Sequence, residues 1–63
     1  MERVPSADEI RALRLRLGLT QQQAADRLRV HRVTWVRWET GVDQPSQQSS
    51  WLLRLLRDGL LPD

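Results

Sequence analysis

The chain contains no cysteine, no phenylalanine, no tyrosine and no lysine. Without cysteine, neither a disulfide nor a thiolate metal site can staple the fold, and a lone histidine does not make a structural zinc centre. The same absence fits a reducing, cytoplasmic setting. No run of about 18 apolar residues occurs, so no membrane-spanning helix is expected. Residues Met1–Ser6 lack the apolar core of a secretory signal. The parts of a catalytic centre are also missing. There is no Ser/His/Asp set, no Gly-rich phosphate loop and no carboxylate cluster around His31, and 63 residues are too few to enclose a pocket. Neither an enzyme nor a cofactor, metal or small-molecule substrate is expected. The length suits a single domain spanning residues 1–63, with a modest core and a small margin of stability.

What is present is arginine, unevenly placed. The formal net charge is +2, but Glu9 to Trp38 holds seven arginines against two acids, a net +5. Glu39 to Asp63 holds two arginines against four acids, a net −2. A basic half beside a mildly acidic one suggests an anionic partner met by one face. Arginine suits phosphate and base edges better than lysine because its donors form a planar fork.

Helix signals follow one another along the chain. Ser6-Ala7-Asp8-Glu9 reads as a capping box, Ile10, Leu13 and Leu17 continue at helical spacing, and Gly18 reads as a stop. A helix is predicted at about 7–17. Thr20-Gln21-Gln22-Gln23 is a second capping box, opening a helix at about 21–28. After a tight turn a third helix is predicted from 31 or 32 to 40, ended by Gly41. Ser46 caps a fourth at about 47–58, with Gly59 as its stop. No strand pattern competes with these signals. The predicted fold is all-α, a small bundle of four short helices.

The third helix lies in "RVHRVTWVRWETG", residues 29–41, where two of the three tryptophans stand three positions apart among arginines. On a helical wheel Trp35, Trp38 and Glu39 share one face, while Val33, Val36, Arg37 and Thr40 lie opposite or at the edge. Arg32 projects from the helix start. The rings therefore anchor the helix and the arginines ride outside. Such a helix fits a DNA major groove, which is wide enough to admit one.

Leu19-Thr20-Gln21, Ala25, Leu28, Val30, Thr34, Trp38-Glu39 and Gly41 together resemble the signature of Cro/repressor-type (XRE-like) helix-turn-helix regulators. Ile10, Leu13, Arg14, Leu17 and Gly18 are similar to that family's first helix, and Pro45-Ser46 to the start of its last. The resemblance covers about residues 9–57. It implies a lambda-repressor-like DNA-binding fold with the helix-turn-helix at about 20–40. It also implies base contacts from His31, Arg32, Val33 and Arg37, and backbone contacts from Gln21, Thr20, Thr34 and Thr40. Arg14 and Glu39 match a pair that forms an interior salt bridge in relatives. Arg29 stands where the turn usually holds glycine, His31 where Ser or Thr usually caps, and Trp35 where Ile or Val is common.

The function implied is a sequence-specific double-stranded DNA-binding transcriptional regulator. It would repress by occupying an operator, as small autorepressors of phage, toxin–antitoxin or anti-CRISPR-type operons do. A homodimer on inverted half-sites about one helical turn apart is expected. On a wheel centred at Leu52, Leu55, Leu56 and Gly59 fall within about 60°, and the whole apolar arc spans near 200°. That excess assigns Trp51, Leu53, Leu60 and Leu61, with Leu15 of the first helix, to the dimer interface. The alternative is an antitoxin or adaptor module that binds a protein through the leucine-rich last helix. Salt separates the two, because phosphate neutralisation weakens steeply with added salt and an apolar contact hardly changes.

Overall fold

The computed structural model describes residues 4–61. Met1 to Arg3 and the last two residues, which the length and charge readings above include, lie outside them. Four helices follow in order: α1 (Ala7–Arg16), α2 (Gln21–Leu28), α3 (Arg32–Glu39) and α4 (Gln47–Arg57). None of them is long and apolar enough to cross a membrane.

The starts are set by side-chain caps. The Glu9 N–H donates to Ser6 Oγ at 3.2 Å, and the Ser6 N–H donates back to Glu9 Oε1 at 3.1 Å. Thr20 and Gln23 repeat the reciprocal arrangement on α2, and Ser46 Oγ accepts from the Ser49 N–H on α4. Each satisfies donors that the first helical turn leaves open.

The ends share one device. At every helix a residue with positive φ turns the chain, and the next N–H reaches back five residues to a carbonyl, as in Val42 to Arg37 at 3.0 Å and Val30 to Ala25 at 3.0 Å. These bonds satisfy carbonyls that the last turn leaves open. Three of the turning residues are glycines; at α2 it is Arg29, with φ 58° and ψ 41°. A Cβ crowds the backbone there, so the turn of the helix-turn-helix carries local strain.

One cluster forms the core: Ile10, Ala24, Ala25, Leu28, Trp35, Trp38, Leu53 and Leu56. Leu13, Leu19, Val30, Leu52 and Leu61 pack against it. α3 packs on both α1 and α2, and α4 packs on α2. Ala24 and Ala25 are fully buried, and their small size lets α2 and α3 approach while the indole of Trp35 fills the interior.

The buried stripe of α4 corrects the sequence wheel. It runs through Leu53 and Leu56, with Leu52 at its edge, rather than centring on Leu52. Leu53 is 2% exposed. It is therefore a core residue of one chain and not part of an exposed interface. Leu61, also assigned to that interface, packs against the core and is half-buried. Leu15, Trp51 and Leu60 do stand in solvent. A helix with leucine on several sides has no local signal for which side meets the bundle. The neighbours decide it.

Candidate nucleic-acid interface

α3 is fixed from behind by one carboxylate. Glu39 Oε2 accepts from Arg14 Nε at 2.5 Å, and Oε1 accepts from Arg14 Nη2 at 3.1 Å. The Trp35 indole N–H donates to Oε2, and Gln21 Nε2 donates to Oε1 at 3.4 Å. The third arm of Arg14 donates to the Leu19 carbonyl at 3.0 Å. The side chains of Arg14 and Glu39 are only 14% and 4% exposed. Three helices and the turn between α1 and α2 are thus tied at a single point. Burial pushes the Glu39 carboxyl up. The hydrogen bonds from Arg14, Trp35 and Gln21, with the charge of Arg14, outweigh it and hold the group below its ordinary value of 4.5.

The two tryptophans complete this anchor. Trp35 is fully buried and Trp38 nearly so, with ring centroids 5.7 Å apart and planes tilted by 56°. Such a tilted pair gains ring–ring attraction beyond the area it buries. The indole N–H of Trp35 would be orphaned in that setting, but Glu39 one turn later accepts it. A larger residue at this position is accommodated because its polar atom joins the ion-pair network.

The opposite face of α3 is exposed. Val33 is 62% exposed, and the side chain of Arg37 is 49% exposed. Arg32, the first helical residue, also stands in solvent. His31 has the extended backbone of a cap, φ −69° and ψ 149°, but its side chain makes no cap hydrogen bond. α3 alone among the four helices lacks a side-chain cap. Its first N–H groups and the His31 ring therefore remain open at the end of the helix, where the helix dipole favours an anion.

The residues assigned to the DNA backbone are arranged less uniformly. Thr20 and Thr40 are exposed, while Gln21 and Thr34 are half-buried. Gln21 turns its amide toward Glu39, so it braces the interior as well as standing at the start of α2. The Thr40 hydroxyl donates to the Val36 carbonyl at 2.9 Å, which commits its proton inside the helix. Thr20 Oγ1 accepts from the Gln23 N–H, which leaves its own proton to donate outward.

Sequence reasoning missed one partner on this face. Arg37 Nε donates to Asp43 Oδ2 at 2.6 Å. The signal was the stop at Gly41: the left-handed turn that ends α3 brings the following loop back over the last turn, and so over Arg37.

Over residues 7–58 the chain matches a family model described as a helix-turn-helix domain. No curated protein matches it.

Proposed function

The chain belongs to the helix-turn-helix domain family, and we propose that it is a sequence-specific double-stranded DNA-binding regulator. It represses transcription by occupying an operator, and α3 is its reading helix. The observation that carries this is the two-sidedness of α3: Trp35, Trp38 and Glu39 fasten one face, while Val33 and Arg37 are exposed on the other and His31 and Arg32 are exposed at the helix start. A rigid helix with arginines directed outward matches what the major groove accepts, since arginine pairs with guanine O6 and N7 and an apolar side chain meets a thymine methyl. Thr20, Gln21, Thr34 and Thr40 flank it as contacts to phosphate, which fix register without reading sequence.

A single module of this size grips little DNA, so the reading includes a homodimer on inverted half-sites. Of the residues expected at its interface, Leu15, Trp51 and Leu60 are exposed and available to it. The protein-interaction alternative is less well supported. Leu53 and Leu56, two leucines that would carry it, are buried in the chain's own core.

Selection of bound duplexes from random sequence tests the proposal. The expected result is a palindromic consensus with affinity that falls steeply as salt rises. Recovery of no consensus, with binding indifferent to salt, would overturn it.

A further inference from the structure

Two arginines of α3 are exposed, Arg32 at the start of the helix and Arg37 on its outer face, and they are held differently. Arg32 has no side-chain partner among the described residues. Arg37 donates its Nε–H to Asp43 at 2.6 Å. The loop that carries Asp43 is itself built on Arg37. Gly41 turns the chain with φ 78°. The Arg37 carbonyl then accepts from the Val42 N–H at 3.0 Å and from the Asp43 N–H at 3.3 Å. So the backbone of Arg37 fixes where Asp43 stands, and the side chain of Asp43 returns to fix the guanidinium.

A guanidinium has five N–H donors. Occupying Nε leaves the two Nη groups, whose outward N–H bonds form the end-on fork that matches guanine O6 and N7. An arginine without such a brace also swings onto phosphates, where it gains affinity and reads nothing. The carboxylate has a second effect. It repels the DNA backbone, so it lowers affinity for every duplex alike and penalises poses in which Arg37 leaves it for a phosphate. With side chains 49% and 53% exposed, neither partner is buried by the fold, and both are open to a ligand.

We infer that Asp43 is a specificity-determining residue, which braces Arg37 through Nε so that its terminal fork is presented to one guanine in each half-site. This rests on the reading of α3 as the DNA-reading helix, and the test separates the two.

The full chain, Asp43→Asn, Arg37→Ala and the double variant are each put through selection from random duplexes. Each is then titrated against the selected site and against random DNA, with a thermal melt to show that each is folded. The parent is expected to prefer guanine at one position that Arg37→Ala abolishes. Asp43→Asn should lower the preference at that same position by about 2- to 4-fold, a fraction of what a full arginine–guanine pair supplies. Its affinity for random DNA should stay level or rise. In the Arg37→Ala background Asp43→Asn should change nothing at that position. The preferences at the other positions should also stay as they are in Arg37→Ala, whereas loss of a merely structural loop residue would disturb them. An undiminished guanine preference in Asp43→Asn overturns the inference while leaving the DNA-reading helix intact. A tighter and equally selective Asp43→Asn overturns it too, because the carboxylate would then be a mask. A parent that selects no sequence overturns the reading of α3, and the inference with it.

Discussion

Two arginine–carboxylate pairs of nearly equal length are made by residues of α3, and they are placed in opposite environments. Arg14–Glu39 spans 2.5 Å with side chains 14% and 4% exposed; Arg37–Asp43 spans 2.6 Å with side chains 49% and 53% exposed. In the first, both charges are largely removed from water and further polar groups join the pair: the Trp35 indole and the Gln21 amide donate to Glu39, and the Leu19 carbonyl accepts from Arg14. Removing one partner there strands the other in a low-dielectric interior. In the second, water competes for both ions throughout, so the contact adds little to stability and its geometry is what remains useful. The same chemistry therefore holds the bundle on one side of α3 and orients a side chain on the other.

The largest expected effect is on the buried pair. Glu39→Ala leaves Arg14 and the Trp35 indole without their acceptor, and breaking such a pair can cost roughly 3–5 kcal/mol. For a chain of 63 residues that is most of its stability. Replacing Arg14 and Glu39 together with apolar residues should be less damaging than Glu39→Ala alone. A melting temperature of Glu39→Ala within a degree or two of the parent would remove the contrast between the pairs.

Acid sharpens the same side. The Glu39 carboxyl is held below its ordinary value of 4.5 in the fold. A carboxyl with a lowered folded pKa contributes its full stabilisation above the unfolded value, and the contribution is lost as pH falls through the folded one. Stability measured by urea between pH 6 and pH 3 should thus fall below about pH 4.5. It should fall less steeply in Glu39→Gln, which has no proton to take up there. Equal acid slopes would mean that the pair gains nothing from ionisation.

On the face proposed to read DNA the expected losses are in binding. Arg37→Ala should cost roughly 1–3 kcal/mol of discrimination at one base position while leaving the melt nearly unchanged. Equal weakening on selected and random DNA would make Arg37 a phosphate contact instead. Arg29 extends the comparison to an arginine with no side-chain partner among the described residues, held at φ 58°. Arg29→Gly relieves about 1–2 kcal/mol of left-handed strain, offset by the greater freedom glycine has when unfolded, about 0.4–1 kcal/mol. A small gain in melting temperature is expected, and a loss would show that the Arg29 side chain contributes to the fold. The smallest effect is Asp43→Asn on stability, within about 1 kcal/mol for an exposed pair. A larger drop would make the two pairs alike.

The exposed apolar residues bear on assembly. Leu53→Asp is expected to unfold the chain, since Leu53 is 2% exposed inside the core. Leu15, Trp51 and Leu60 are the positions at which a polar substitution tests dimerisation by light scattering without touching that core.

Much of this protein was determined by its sequence alone. Ser6, Thr20 and Ser46 start helices, and Gly18, Gly41 and Gly59 follow their ends, because caps and stops act over three to six residues and need no distant partner. The sidedness of α3 was equally legible, since helical spacing alone sets Trp35 and Trp38 on one face and Val33 and Arg37 on the other. The Arg14–Glu39 pair was legible only through resemblance to a family, because 25 residues separate the partners. Other features were decided by the tertiary structure. Leu53 rather than Leu52 lies at the centre of the buried stripe of α4, because a helix apolar over much of its circumference is oriented by what it packs against. Gln21 turns inward because a buried carboxylate draws in every donor within reach. Asp43 meets Arg37 because a loop folds back over the last turn of α3. Each of these depends on where a second segment comes to lie, and short-range periodicity contains no record of that.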